Sequence, residues 1–140
     1  MFNLSITLFP SPETAAARFL FTPPDSSYAV EGTNFTLEWT YTLDGIVLHA
    51  GFFNVIETKN LVIGSRNGPG KIKSQQKYEA RFRAQVKNTG AELTILEVQS
   101  SDEGTYKLSV VSSGPTFIWD SVRVIVHCKY YNSNDVACLL

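Results

Sequence analysis

Apolar and polar residues alternate over short stretches through most of this chain. Phe35, Leu37 and Trp39 are separated by single polar residues, and residues 93–95 and 106–110 repeat with the same period of two. This alternation places the apolar side chains on one face of an extended strand. Other apolar runs occupy 18–22, 28–30, 46–56, 61–63, 78–86 and 122–126. Because no long helical period occurs, the pattern predicts an all-β protein of about nine strands.

Clusters of glycine, proline, asparagine, aspartate and serine separate these runs. Such residues favour turns because they adopt positive φ, fix φ, or bond to the neighbouring backbone. The strongest turn signals are Pro23-Pro24, Glu31-Gly32, Asp44-Gly45, 67–70, 88–90 and 112–115. Each of them divides two candidate strands.

One segment, from Leu93 to Leu108, joins two such strands through a polar turn and follows the pattern L-x-I-x-x-V-x-x-x-D-x-G-x-Y-x-L. This pattern resembles the E–F corner of immunoglobulin-like domains of the variable type. In that family the tyrosine hydroxyl, here of Tyr106, bonds to nearby backbone. The resemblance also implies that Arg81 pairs with Asp102. It gives structural roles to Trp39, Arg81, Leu93, Ile95, Asp102, Gly104, Tyr106 and Leu108.

The resemblance covers about residues 18–127 and implies an immunoglobulin-like, two-sheet antiparallel sandwich of V-set type. Residues 1–17 are expected to be a leader or a disordered segment, and residues 128–140 a linker or the truncated start of a further segment. The apolar run 2–9 and the three alanines at 15–17 suit a signal peptide. The lack of a preceding basic residue, together with two prolines, argues against one.

The chain departs from the family at the two core cysteines. Trp39 and Leu108 stand at those positions, and the only cysteines, Cys128 and Cys138, lie outside the pattern. These two can bridge each other, or one can pair between chains. Burying a tryptophan and a leucine would offset part of the roughly 2–4 kcal/mol lost with the inter-sheet disulfide. Such a core would also fold in a reducing compartment.

Several functions are not expected from this sequence. The net charge is −1, from 12 Lys and Arg against 13 Asp and Glu, and gives no sign of nucleic-acid binding. The sequence contains no run of 18 apolar residues, so no membrane-spanning helix is predicted. His49 and His127 are not in a metal-ligand spacing, and no nucleophile or phosphate-binding motif occurs. We therefore expect no enzyme, no metal and no cofactor.

A basic segment from Arg66 to Lys87 is one candidate partner surface, with seven basic residues and one acid. Lysines on an exposed strand discourage edge pairing, so the segment is typical of a solvated edge. It also suits a sulfated glycan. That site would use Arg66, Lys71, Lys73 and Lys77.

The second candidate surface is Phe117-Ile118-Trp119, which the resemblance places in the F–G loop. Large apolar residues at a loop tip contact a partner unless they fold back into the core, and both alternatives stay open here. Asn3-Leu4-Ser5 and Asn34-Phe35-Thr36 are N-glycosylation sequons.

The resemblance implies a non-enzymatic recognition module, extracellular or on a cell surface, that binds another protein such as a like immunoglobulin domain. The last predicted strand, around residues 122–126, corresponds to strand G of the family and lacks the F-G-x-G motif of antigen receptors. This absence favours adhesion or self-recognition, as in invertebrate surface receptors that vary the core cysteines. The alternatives are a structural spacer in a longer multidomain protein and a sulfated-glycan-binding module. Since fold does not determine function, these expectations rest on analogy.

Overall fold

The computed structural model describes residues 17–128, which are almost entirely β-structure. The ten strands are β1 (Arg18–Phe21), β2 (Ser26–Val30), β3 (Phe35–Thr42), β4 (Val47–Ile56), β5 (Lys59–Asn67), β6 (Gly70–Ile72), β7 (Phe82–Lys87), β8 (Gly90–Ile95), β9 (Gly104–Ser112) and β10 (Phe117–His127). A turn of 3-10 helix, Ser100–Asp102, precedes β9. The all-β prediction is confirmed.

The strands form two five-stranded sheets that enclose one apolar core. The first sheet has the order β1-β3-β8-β7-β6, and the second has the order β2-β10-β9-β4-β5. The Pro23-Pro24 pair lies between β1 and β2 and lets the chain pass from one sheet to the other, because proline cannot continue a ladder. The described strands pair antiparallel, as expected, except that β2 pairs in parallel with β10.

Period-two alternation explains why each strand buries one face. Along β3, Leu37, Trp39 and Tyr41 are buried while the residues between them are exposed. Along β9, Tyr106, Leu108 and Val110 are buried in the same way. These side chains belong to one contiguous core that draws on both sheets. At roughly 1.5–3 kcal/mol for each large apolar side chain, this burial is the main stabilising contribution.

Trp39 and Leu108, which the resemblance places at the cysteine positions, are fully buried residues of the same core, at 1% and 0% exposure. The Trp39 ring packs against Phe52 with a centroid distance of 5.8 Å. Its indole Nε1–H donates to Oδ2 of Asp120 at 2.8 Å. Trp39 lies in the first sheet and Asp120 in the second. A hydrogen bond therefore joins the two sheets, in addition to the apolar packing.

The E–F corner forms a compact polar cluster under the core. The Arg81 guanidinium contacts both carboxylate oxygens of Asp102, and it also donates to the backbone oxygens of Leu96 and Glu97, each at 3.1 Å. The Tyr106 hydroxyl donates to the backbone oxygen of Asp102. The hydrogen bonds that Arg81 donates to the Asp102 carboxylate raise the pKa of Arg81, and burial raises the pKa of Tyr106.

Several boundaries differ from the sequence expectation. Tyr78 to Arg81 forms a turn rather than the start of a strand, and β7 begins at Phe82. The short edge strand β6 was not expected, because its three residues are too few to show a period. Strand β10 begins at Phe117 and runs for 11 residues, about twice the expected length.

Candidate protein-binding face

The outward side of the second sheet is a broad surface that we call the front face. It is formed by residues of β10, β9, β4 and β5 that are neighbours across the strands. In rows from β10 to β5 these are Phe117, Val111, His49 and Asn67; Trp119, Ser109, Gly51 and Ser65; Ser121, Lys107, Phe53 and Val62; and Arg123, Thr105, Val55 and Asn60. Four neighbouring strands of one sheet make this surface continuous.

Two aromatic side chains dominate the β10 side of the front face. Phe117 is 55% exposed and Trp119 is 54% exposed. Ile118 lies between them, points inward and packs against the core. The placement of these three residues in the F–G loop is wrong, because they open β10 and pair with residues 109–111. Phe117 and Trp119 thus stand on a rigid sheet, and Ile118 is not part of the surface.

At the centre of the front face an aromatic ring covers a glycine. A Cβ added to Gly51 would lie 3.1 Å from the Phe53 ring and 3.4 Å from Cβ of Ser65. The small residues Ser109, Gly51 and Ser65 form one row across three strands, and Phe53 leans over its middle. Aromatic residues are enriched in protein interfaces, so this arrangement suits contact with another protein surface.

Lys107 is the positive charge at the middle of the front face. It lies on β9, the central strand of the sheet. Its Nζ stands 4.8 Å from the centroid of the Trp119 ring, which is a cation–π contact. Arg123 lies nearer the rim, where its guanidinium is 3.9 Å from a carboxylate oxygen of Glu103. The aromatic surface therefore carries positive charge.

Exposed aliphatic residues extend this surface to the end of the domain. Ile46 and Leu48 are 54% and 50% exposed. The pairing of β4 with β9 is irregular between Val47 and His49, so the consecutive residues Leu48 and His49 are both exposed. Both residues adjoin the loop after β9, where the Ser113 backbone N–H donates to the Ile46 oxygen at 2.8 Å.

The loops after β3 and β9 are held together by a carboxylate, an arrangement that we call the loop clamp. The Thr116 hydroxyl donates to the Asp44 carboxylate. Hydrogen bonds from the hydroxyls of Ser112 and Thr116 hold the pKa of Asp44 below its ordinary value. A Cβ at Gly114 would lie only 2.3 Å from the Asp44 backbone oxygen, so the close approach of the two loops requires glycine there. The sequence suggested turns at both places but not their contact.

The basic segment does not form one cluster. Arg81 is committed to Asp102, and Arg66 donates to the backbone oxygens of Gly68 and Lys71 at 3.1 and 2.8 Å. Five exposed basic residues of the segment remain. Arg83 and Lys87 lie on β7, and the three lysines that we call the edge lysines lie on or after the edge strand β6. The edge lysines are Lys71, Lys73 and Lys77. Of the four residues expected to bind glycan, Arg66 already donates hydrogen bonds to backbone oxygens, which leaves the three edge lysines.

The remaining predicted positions lie at the margins of the domain. Asn34 is exposed, and its Oδ1 accepts the Glu97 backbone N–H at 3.0 Å. Cys128 is half-buried directly after β10. Asn3 and Cys138, with the expected leader and linker segments, lie outside the described residues. Glycosylation and a bridge between the cysteines therefore stay predictions.

Across residues 17–128, no three side chains of His, Cys, Asp or Glu are grouped so as to hold a metal ion. The same residues contain no helix with the length and hydrophobicity needed to cross a membrane. His49 lies on the front face, where its Nδ1 is 2.8 Å from Oδ1 of Asn67.

Comparison with known proteins supports the architecture and shows an immunoglobulin-like β-sandwich, as the sequence predicts. One similar solved structure concerns T cell specificity and activation by the bacterial superantigen toxic shock syndrome toxin-1. The matching chain there has a TM-score of 0.65 and 17% identity, with 79% of this chain and 99% of that chain covered. Another is the NK cell receptor Nkp44, with a TM-score of 0.60, 13% identity, and 73% and 96% covered.

Sequence comparison adds no closer relationship. No protein-family model matches this chain, and no curated protein matches it in sequence. In contrast, 1975 chains of solved structures match it in fold, so the architecture is too widespread to select a function by itself.

Proposed function

We propose that this chain is a V-type immunoglobulin-like recognition module, extracellular or at a cell surface, and that its front face binds another protein. The V-type assignment is supported by β5, which extends the second sheet beyond β4, and by the parallel pairing of β2 with β10. The receptor Nkp44 among its structural neighbours supports a role in recognition by analogy.

The observation that carries this proposal is the exposure of Phe117 and Trp119 on a rigid strand, each more than half accessible. Large apolar side chains that are exposed together on a soluble domain commonly mark an interaction site. Two small polar residues adjoin Trp119, since Ser109 is its cross-strand neighbour and Ser121 lies two residues further along the same face of β10. Aromatic anchors within a polar surround are typical of binding hot spots, and tryptophan is among the residues most enriched there.

The proposal is tested by screening the domain, as tetramers, against an array of cell-surface and secreted ectodomains that includes the domain itself. We expect Trp119→Ser to weaken the binding of any specific partner by about 2 kcal/mol or more, roughly thirtyfold in Kd. Phe21→Ser is the matched control, because Phe21 is 62% exposed on the opposite sheet. If Trp119→Ser binds every partner as the wild type does, the front face is not the binding site.

A further inference from the structure

The charge of the second sheet is one-sided, and this restricts what the front face can bind, provided that the proposed function holds. The five strands of this sheet contain four lysines and arginines but only one acidic residue, Asp120. The four cations are Lys59, Arg66, Lys107 and Arg123. The carboxylate of Asp120 points inward and accepts the hydrogen bond from the Trp39 indole. The outward positions on these strands therefore carry no negative charge.

The four cations are not equivalent. Arg66 donates to backbone oxygens, and Arg123 lies 3.9 Å from the carboxylate of Glu103 at the rim. Lys59 lies at the turn between β4 and β5, away from the centre of the sheet. Lys107 is on the central strand, with Ser121 and Phe53 as its cross-strand neighbours.

Lys107 has an aromatic contact but no acidic partner. Its ammonium lies over the Trp119 ring, and among the described residues the two ion pairs within 4.0 Å involve other cations. A partner that covers Trp119 would therefore also remove Lys107 from water. Burying a charge is unfavourable unless an opposite charge accompanies it.

We propose that the partner of the front face is a different protein that places an Asp or Glu carboxylate against Lys107, within an apolar surface that covers Trp119 and Phe117. A second copy of this domain does not meet that requirement in a symmetric, face-to-face pair. In such a pair the same surface is used by both copies, so residues at the centre of the face approach the same residues of the other copy. Two Lys107 ammonium groups would then share an interface whose strands supply no outward carboxylate, and like charges disfavour association.

The surroundings of Lys107 favour a protein over a polyanion. Phosphate-rich and sulfated polymers are held by several cations acting together. Here one cation, Lys107, lies over the Trp119 ring and beside Phe53. Phe117 and Val62 lie further out on the same face, and Trp119, Phe117 and Val62 are each more than a third exposed. A protein surface supplies both the apolar side chains and the carboxylate that this pattern requires.

A charge-reversed copy of the domain serves as a defined acidic and apolar probe. In sedimentation velocity, the wild type is mixed with the Lys107→Glu variant, and in parallel with Lys59→Glu, which makes the same charge change at the β4–β5 turn. We expect wild type and Lys107→Glu to associate at least about tenfold more tightly than wild type does with itself or with Lys59→Glu. That association should weaken as salt is raised. Unchanged thermal melting of both variants would establish that they remain folded.

Two results would overturn the inference. One is association of wild type with Lys107→Glu that is no stronger than with Lys59→Glu. The other is self-association of the wild type that Trp119→Ser abolishes, since the front face would then bind a second copy of the domain. Failure of the proposed function has a different signature. The mixed pair would form, but introducing Trp119→Ser into its wild-type member would leave the Kd unchanged.

Discussion

The hydrogen bond between Trp39 and Asp120 offers the sharpest test of what joins the two sheets in addition to apolar packing. Trp39→Phe removes the indole N–H that donates across the core at 2.8 Å while keeping an aromatic ring beside Phe52. It also leaves the Asp120 carboxylate without that donor. The change therefore removes one identified inter-sheet contact and a small part of the core volume.

The expected cost follows from these two losses. A hydrogen bond to a charged group contributes about 1.5–3 kcal/mol. The roughly 40 Å³ lost from the side chain costs about 1 kcal/mol more, at about 24 cal/mol per Å³ of cavity. We therefore expect Trp39→Phe to lower the free energy of unfolding by about 2.5–4 kcal/mol. Asp120→Asn, which keeps an oxygen acceptor without the charge, should cost only about 1 kcal/mol.

The measurement is urea denaturation followed by far-ultraviolet circular dichroism, because the tryptophan fluorescence itself changes in these variants. Trp119→Phe is the matched control, since Trp119 is 54% exposed, and it should change the unfolding free energy by less than about 0.5 kcal/mol. A double-mutant cycle of Trp39→Phe with Asp120→Ala should give a coupling of about 1 kcal/mol or more. Additive effects within error would refute an inter-sheet role for this hydrogen bond.

Three further predictions concern the corner, the loop clamp and the edge. Tyr106→Phe should lower the unfolding free energy by about 1–2 kcal/mol, because the buried hydroxyl loses its bond to the Asp102 backbone; equal urea midpoints would contradict this. Asp44→Asn should lower Tm at neutral pH. In the folded protein the pKa of Asp44 lies below its ordinary value of 3.8, so the higher Tm of the wild type should be fully present above pH 3.8 and be lost as pH falls below it. A difference in Tm that does not depend on pH would count against the clamp. If the edge lysines bind sulfated glycan, replacing all three with serine should reduce retention on heparin more than retention on a plain cation exchanger; an equal reduction on both columns would indicate net charge alone.

Much of the fold could be predicted because its strands bury one face each. Leu37 and Trp39 on β3, and Tyr106 and Leu108 on β9, follow the period of two that a half-buried strand imposes. The polar residues of the corner are close in sequence, so their turn could be recognised locally. The short edge strand β6 was missed because three residues cannot display a period.

The errors at the candidate site have a common cause. Residues that are neighbours across two strands of a sheet are far apart in sequence, so the local pattern does not reveal them. Phe117 and Trp119 follow a loop signal, and nothing in their own segment shows that they pair with β9. An aspartate inside a strand predicts a solvent-facing side chain, whereas Asp120 points inward to Trp39. The relation of Lys107 to the Trp119 ring likewise depends on the register of two strands.

The loop clamp has a consequence for how this domain could acquire new partners. Loops that are already tied to each other lose little conformational entropy when a complex forms, so association needs no ordering step at that end. The same tie makes their lengths interdependent, because an insertion beside Gly114 or Asp44 would separate the carboxylate from its hydroxyl donors. Diversification would then proceed by exchanging single side chains on the strands, where each change alters the surface without disturbing the backbone.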